Sequence, residues 1–200
     1  MGEYEQRDAV EARKGGNRTD IEMEYYTVQP SRWTFQSRKI RRWVEKHLRG
    51  RVLNACAGKT RLTHDHEIVR NDIDPDRDAD LHVDVCEISD HLEHASFDTV
   101  VYDPPFTAYQ ATRTYDGHEV GDDGVAKQEF DRLLRHGGRV IQLGYSTTCM
   151  PMSLGYPRQA VAVFNTLGRM NDYLGTVDEH EADSNTHAKW FRPRGSVTDE

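Results

Sequence analysis

Asp103-Pro104-Pro105-Phe106 is a run of residues whose types and order suit one piece of chemistry. It follows Thr99-Val100-Val101-Tyr102, an apolar stretch that reads as a buried strand. Consecutive prolines end a strand, because neither offers the N–H a ladder needs. That accounts for the prolines but not for the acid before them or the ring after them. An exocyclic amino nitrogen on a nucleobase is a poor nucleophile, since its lone pair is delocalised into the ring. The Asp103 carboxylate can accept one of its hydrogens. The Pro104 carbonyl, aimed by the rigid Pro104-Pro105 unit, can accept the other. Phe106 can stack on a base taken out of its helix. With an activated methyl donor, positioning and electrostatics supply most of the catalysis, and no metal is required.

A second constellation lies at other strand ends, where open parallel sheets bind ligands. Asn54-Ala55-Cys56-Ala57-Gly58 follows the strand Arg51–Ala55 with small residues that allow close backbone approach, and Gly58 tolerates positive φ. Asp72 ends the strand Glu67–Asp72, where an acid can accept both hydroxyls of a ribose. Asp84 lies in the expected strand Leu81–Val85, where it can accept from an adenine amino group, with Ile73 and Val85 sandwiching that ring. Gly58-Lys59-Thr60 also resembles the tail of a phosphate-binding P-loop, which would make the chain an NTPase with Asp103 beside Mg²⁺. A P-loop needs glycine five positions before Gly58, and Leu53 stands there.

The elements that must position these residues alternate. Ile40, Trp43, Val44 and Leu48 fall on one face of a helix expected over Ser31–Arg49, with Ser31 or Ser37 as cap and Gly50 as stop. Strands follow at 51–55, 67–72, 81–85, 97–102 and 140–144. A helix over Gln128–Arg135 turns at His136-Gly137-Gly138. Ala160–Asn165 and Tyr173–Val177 flank a turn at Gly168–Asn171 and read as an antiparallel hairpin. This predicts an α/β fold: a Rossmann-like, mostly parallel sheet with crossover helices on both faces and an antiparallel last strand. The first two strands are so close that their crossover must be a single helical turn or a loop.

Residues 1–22 are polar and read as a disordered arm, 23–180 as the domain and 181–200 as a tail carrying Trp190, Phe191, Arg192 and Arg194. Nothing resembles a membrane span or signal peptide, so the expected location is cytoplasmic and no membrane partner is expected. Cys56, Cys86 and Cys149 are too scattered for a disulfide framework or zinc site. His64 and His66, flanking Asp65, read as a solvated loop, so no metal is expected. The net charge of −8 opposes a nucleic-acid partner. Arginine far exceeds lysine and aspartate exceeds glutamate, a balance like that of proteins from salt-loving organisms, where an acidic surface is an adaptation to solvent. Against it stands a basic block, Arg38, Lys39, Arg41, Arg42, Lys46 and Arg49, which reads equally as a solvated helix face or a phosphate contact. Thr107–Gly124, with Tyr109, Arg113 and Tyr115, reads as a mobile loop beside the target base or an ordinary exposed connection.

Taken together, "VLNACAGKTRL", "IVRNDID", "HVDV", "VVYDPPF" and "LLRHGGRVIQLGY" resemble the class I S-adenosylmethionine-dependent amino-methyltransferases, and among these the short adenine-specific DNA methylases of archaea. The resemblance covers about Tyr25 to Val177. The loop departs from that family's Gly-x-Gly, with Ala55, Cys56 and Ala57 before a lone Gly58. The resemblance implies a seven-stranded sheet and S-adenosyl-L-methionine as cofactor. It also implies catalysis by Asp103, Pro104, Pro105 and Phe106. DNA adenine ranks first as substrate, guanine in ribosomal or transfer RNA second, and a protein glutamine side chain third. A non-catalytic nucleic-acid-binding module is the alternative outside enzymes.

Overall fold

The computed structural model describes residues 20–31, 33–59, 61–105, 122–168 and 171–180. Its strands are β1 (Glu22–Val28), β2 (Val52–Asn54), β3 (Ile68–Arg70), β4 (Phe97–Tyr102), β5 (Leu134–Gly144), β6 (Arg158–Thr166) and β7 (Tyr173–Glu179). They form one seven-stranded sheet in the order β1-β6-β7-β5-β4-β2-β3. Pairing is parallel except around β7, which runs antiparallel to β5 and β6. The expected fold class is therefore the observed one. The helices are α1 (Arg38–His47) and α2 (Asp123–Leu133).

Each face of the sheet carries its own core. Ile40, Trp43 and Val44 of α1 pack with Val52, Val101, Ile141, Leu143, Phe164 and Tyr173 on one face. Ala126, Phe130 and Leu133 of α2 pack with Leu53, Val100, Tyr102 and Val140 on the other. Alternation along β2, β4 and β5 deals successive residues to opposite cores, as the twofold period of a strand requires. Each large apolar side chain so buried contributes roughly 1.5–3 kcal/mol.

Four elements differ from the sequence expectation. First, β1 was not expected as a strand. It pairs in parallel with β6 and begins at Glu22, where the arm was expected to end. Tyr26 and Val28 join the α1 core, while Met23 and Tyr25 are exposed.

Second, the strand expected at Leu81–Val85 is only an isolated bridge between Leu81 and Asn71. A parallel crossover needs about a dozen residues, and the chain between β3 and Leu81 is shorter. Side-chain bonds substitute for a ladder: Asn71 Nδ2 donates to the Val83 carbonyl at 3.0 Å, and its Oδ1 accepts from the Val83 amide at 3.1 Å.

Third, the helix expected at Ser31–Arg49 is shorter. A 3-10 turn at Thr34–Gln36 precedes it, and Ser37 occupies the cap position without a side-chain cap bond. Gly50 follows at φ +48°, where a Cβ would lie 2.1 Å from Asp98 Oδ2.

Fourth, the helix expected to close over Gln128–Arg135 begins at Asp123. Asp122 caps it by accepting from the Gly124 amide at 2.8 Å. It also ends earlier, because His136-Gly137-Gly138 lies within β5 at a register shift opposite β4.

The hairpin β6–β7 is as expected, and Thr166 Oγ1 donates to the Asn171 carbonyl at 2.8 Å to close its turn. The described residues between β2 and β3 contain no helix, as their small number required. Residues 1–19, 181–200 and the loop residues 107–121 lie outside the described residues, with the expectations placed on them. Among the described residues no helix is long and apolar enough to cross a membrane.

Candidate active site

The loop after β2 is pinned to its neighbouring strands. The Ala55 amide donates to the Val101 carbonyl at 2.9 Å, and the Ala57 amide to the Asn71 carbonyl at 2.8 Å. Gly58, at φ +56°, donates its amide to Asp72 Oδ2 at 2.7 Å. The second oxygen of Asp72 accepts from the Asp74 amide at 3.1 Å. Asn71 Nδ2 reaches the Ala55 carbonyl at 3.0 Å, so one side chain clamps both the loop and the Val83 segment. That clamp brings Asp84 to the same edge, where its Oδ1 accepts from the Cys86 amide at 2.9 Å. Val85 is buried, and Ile73 half-buried.

Cys56 reports what converges here. Burial pushes its thiol well above the ordinary value, and the charges of Asp72, Asp103 and Asp84 push it the same way. Three acids predicted from separate strand ends therefore surround one loop. The field at the Cys56 sulfur is negative and favours a cationic or hydroxyl-bearing ligand.

Asp103 follows β4, whose Val100, Val101 and Tyr102 are fully buried. Pro104 and Pro105 are half-buried, and the strand ends before them. Phe106 lies outside the described residues. Asp103 Oδ1 is sealed from solvent and has no hydrogen-bond partner among the described residues. Burial pushes the Asp103 carboxyl up to about 7, opposed by the Thr34 hydroxyl, which favours the charged form. Thr34 was not read from the sequence. It arrives on the 3-10 turn before α1, anchored by buried Phe35. No local pattern marks it, since its role comes from packing across the sheet.

Other polar groups near this edge are also orphaned. Asn54 is 0% exposed, and neither Oδ1 nor Nδ2 has a partner among the described residues. Asn54 pairs in register with Val101, two residues before Asp103 on the same face. On the opposite face Tyr102 and Gln142 pair in register, and Gln142 Oε1 likewise lacks a partner among the described residues. An unsatisfied buried polar group costs about 1–3 kcal/mol. A bound ligand or ordered water at this edge would satisfy them.

The basic block is divided. Lys39 Nζ donates to the Thr27 carbonyl at 2.7 Å, and Lys46 pairs with Glu22 at 2.6 Å and Glu24 at 3.1 Å. Arg49 pairs with Glu179 at 3.1 Å, and Arg41 lies 3.9 Å from Glu45. Arg38 and Arg42 are exposed, with no such partner among the described residues.

No protein-family model matches the chain, and no curated protein sequence does either. Among solved structures it is similar to the 1,6-didemethyltoxoflavin-N1-methyltransferase of Burkholderia thailandensis, whose structure contains bound 1,6-didemethyltoxoflavin and S-adenosylhomocysteine. The TM-score is 0.52 at 16% identity, covering 72% of this chain and 77% of that one. It is also matched to TrmN from Thermus thermophilus, with a TM-score of 0.48 at 16% identity, covering 71% of this chain and 47% of that one; the chain thus spans about half of TrmN. A TehB-like S-adenosylmethionine-dependent methyltransferase from Corynebacterium glutamicum is matched with a TM-score of 0.46 at 15% identity, over 89% of this chain and 96% of that one. The first likeness shows the fold: the sheet is of the Rossmann-like methyltransferase type.

Proposed function

We propose that this chain transfers a methyl group from S-adenosyl-L-methionine to the exocyclic amino nitrogen of a nucleobase, with adenine in DNA as the first substrate. One observation carries the reading. Asp103, at the carboxyl end of β4, holds a sealed and unpartnered Oδ1 beside an acid-lined loop.

The residues present fit that cofactor. Asp72 would take the ribose hydroxyls, Asp84 the adenine amino group, Ile73 and Val85 the faces of the ring, and Asn54 to Gly58 the remainder. When bound, S-adenosylmethionine supplies a methyl group already activated on a cationic sulfonium. An edge lined by Asp72, Asp84 and Asp103 suits that cation. It does not suit a triphosphate, and the Gly58 amide that a phosphate would need is already given to Asp72. This weighs against the NTPase alternative.

Asp103 Oδ1 accepts one amino hydrogen of the base, and the Pro104 carbonyl accepts the other. As the nitrogen gains its methyl group it must lose a proton, and Asp103 is the acceptor at hand. A carboxyl pushed up to about 7 is a better base near neutrality than an ordinary aspartate. Phe106, which lies outside the described residues, would stack on one face of the base.

The test is methyl transfer from labelled S-adenosylmethionine to DNA, RNA and protein in parallel, with salt varied widely to suit an acidic protein. Label in DNA adenine is the expected result. Label in RNA guanine would move the substrate but keep the chemistry. No label in any of the three would end the proposal.

A further inference from the structure

Asp103 divides the carboxyl edge of the sheet. The acid-lined loop lies on its β2 and β3 side, and β5 lies on the other, the side left for a substrate if the cofactor fills the loop. Tyr145 is the first residue after β5. Among the described residues it is one of four large apolar side chains left exposed, at 38%. Its ring is stacked on Tyr173 at the start of β7, with centroids 5.8 Å apart and planes 11° apart. Tyr173 is buried in the core of the α1 face, so the stack is backed by packed side chains.

The register places this ring on Asp103's side of the sheet. Tyr102 pairs with Gln142, so Asp103 continues beside Leu143, with Tyr145 two residues further along. Val101, Ile141 and Leu143 face the α1 core, and alternation puts Asp103 and Tyr145 on that same face. Thr34, just before α1, meets Asp103 there. With strands about 4.8 Å apart and about 3.3 Å per residue, Asp103 and Tyr145 are separated by on the order of 8 Å, roughly the width of a base.

We propose that Tyr145, supported by Tyr173, is the surface on which the target base stacks while Asp103 holds its amino group. This rests on the nucleobase reading above and deepens it: a flat heteroaromatic ring uses such a surface, whereas a glutamine amide gains little from it. Tyr145 closes the segment "LLRHGGRVIQLGY", to which the sequence reading gave no binding role.

The experiment uses an oligothymidine strand with one central 2-aminopurine, an adenine isomer whose fluorescence falls on stacking. It is titrated with the full chain, with Tyr145→Phe and with Tyr145→Ala, and S-adenosylhomocysteine affinity is measured for each by calorimetry. The wild type should quench the probe, and Tyr145→Phe should match it. Tyr145→Ala should bind about tenfold more weakly or lose the quench, with S-adenosylhomocysteine affinity unchanged. An equal quench and affinity in Tyr145→Ala, or none in the wild type, would overturn the proposal. A wild type that fails to bind S-adenosylhomocysteine yet quenches the probe would sink the methyltransferase reading and leave the stacking surface standing.

Discussion

Asp72 and Gly58 hold each other in place: the carboxylate Oδ2 accepts the glycine amide at 2.7 Å, and the glycine sits at φ +56° to deliver it. The acid expected to bind a ribose is thus also the anchor of the loop that must line the rest of the cofactor. Asp72→Ala removes both functions. Since hydrogen bonds to a charged group contribute about 1.5–3 kcal/mol each, S-adenosylhomocysteine should bind on the order of tenfold to a hundredfold more weakly by calorimetry. Gly58→Ala meets no atom within 4 Å, so its cost is the backbone conformation alone, about 1–2 kcal/mol. Its loss in thermal stability should therefore be modest.

Asp103→Ala should abolish transfer and leave S-adenosylhomocysteine affinity nearly unchanged. The pH dependence follows from the raised pKa. Below about 7 the free enzyme holds Asp103 protonated and unable to take the proton that the amino group must lose, so kcat/KM should rise through a pKa near 7. Stability has the opposite sign. An unfolded aspartate ionises near 4 and the folded one near 7, so folding loses stability as pH rises across that window and none further above it. Asp103→Asn should therefore unfold at a higher temperature than the wild type at pH 8, with the gap closing towards pH 4. At about 1.4 kcal/mol per pKa unit, roughly 4 kcal/mol is the upper bound on that gap. Thermal unfolding of both proteins at the two pH values reads it directly.

Reversing charge at Arg38 and Arg42 should weaken binding to an oligonucleotide and flatten its dependence on salt. Lys46→Ala, whose ammonium is already paired with Glu22 and Glu24, should leave that slope unchanged and cost less than about 1 kcal/mol of stability. Filter binding over a salt series separates the two outcomes; equal slopes for all variants would remove α1 from the interface.

Gly175 in β7 lies under Trp43, and a Cβ there would approach Trp43 Cζ3 to 2.5 Å. The indole also donates to Glu24 at 2.8 Å, which ties α1 to β1. Gly175→Ala should cost about 1–3 kcal/mol through displacement of that ring, measured as a lower midpoint in urea.

The parts legible in the sequence were those with a local cause. The apolar period of Ile40, Trp43, Val44 and Leu48 marked α1, the run before Asp103 marked β4, and the turn residues between Thr166 and Tyr173 marked the hairpin. Asp72 and Asp103 could be placed at one edge from the strands before them, whereas Asp84 reaches it through the Asn71 clamp and not through a strand. What was not legible depends on distant partners. β1 opens Glu22-Met23-Glu24 with no clear apolar alternation, and Glu24 reads as a solvated residue until Trp43 and Lys46 arrive to pair with it. Leu81–Val85 has strand composition, but the chain before it is too short for a crossover. Thr34 carries no motif, and Tyr145 only closes one that says nothing of its role; packing across the sheet brings one to Asp103 and the other onto Tyr173. Half of the basic block proved to be committed to Thr27, Glu22, Glu24 and Glu179, which no reading of α1 alone could show.

The central claim is that Asp103 directs a methyl group to an exocyclic amino nitrogen. Its most direct test is the position of the methyl group itself, read by mass spectrometry of nucleosides after a single turnover with the wild type and with Asp103→Ala. The account predicts methyl on the exocyclic nitrogen with the wild type and none with Asp103→Ala. Methyl on a ring nitrogen, a carbon or an oxygen, or equal product from Asp103→Ala, would contradict it.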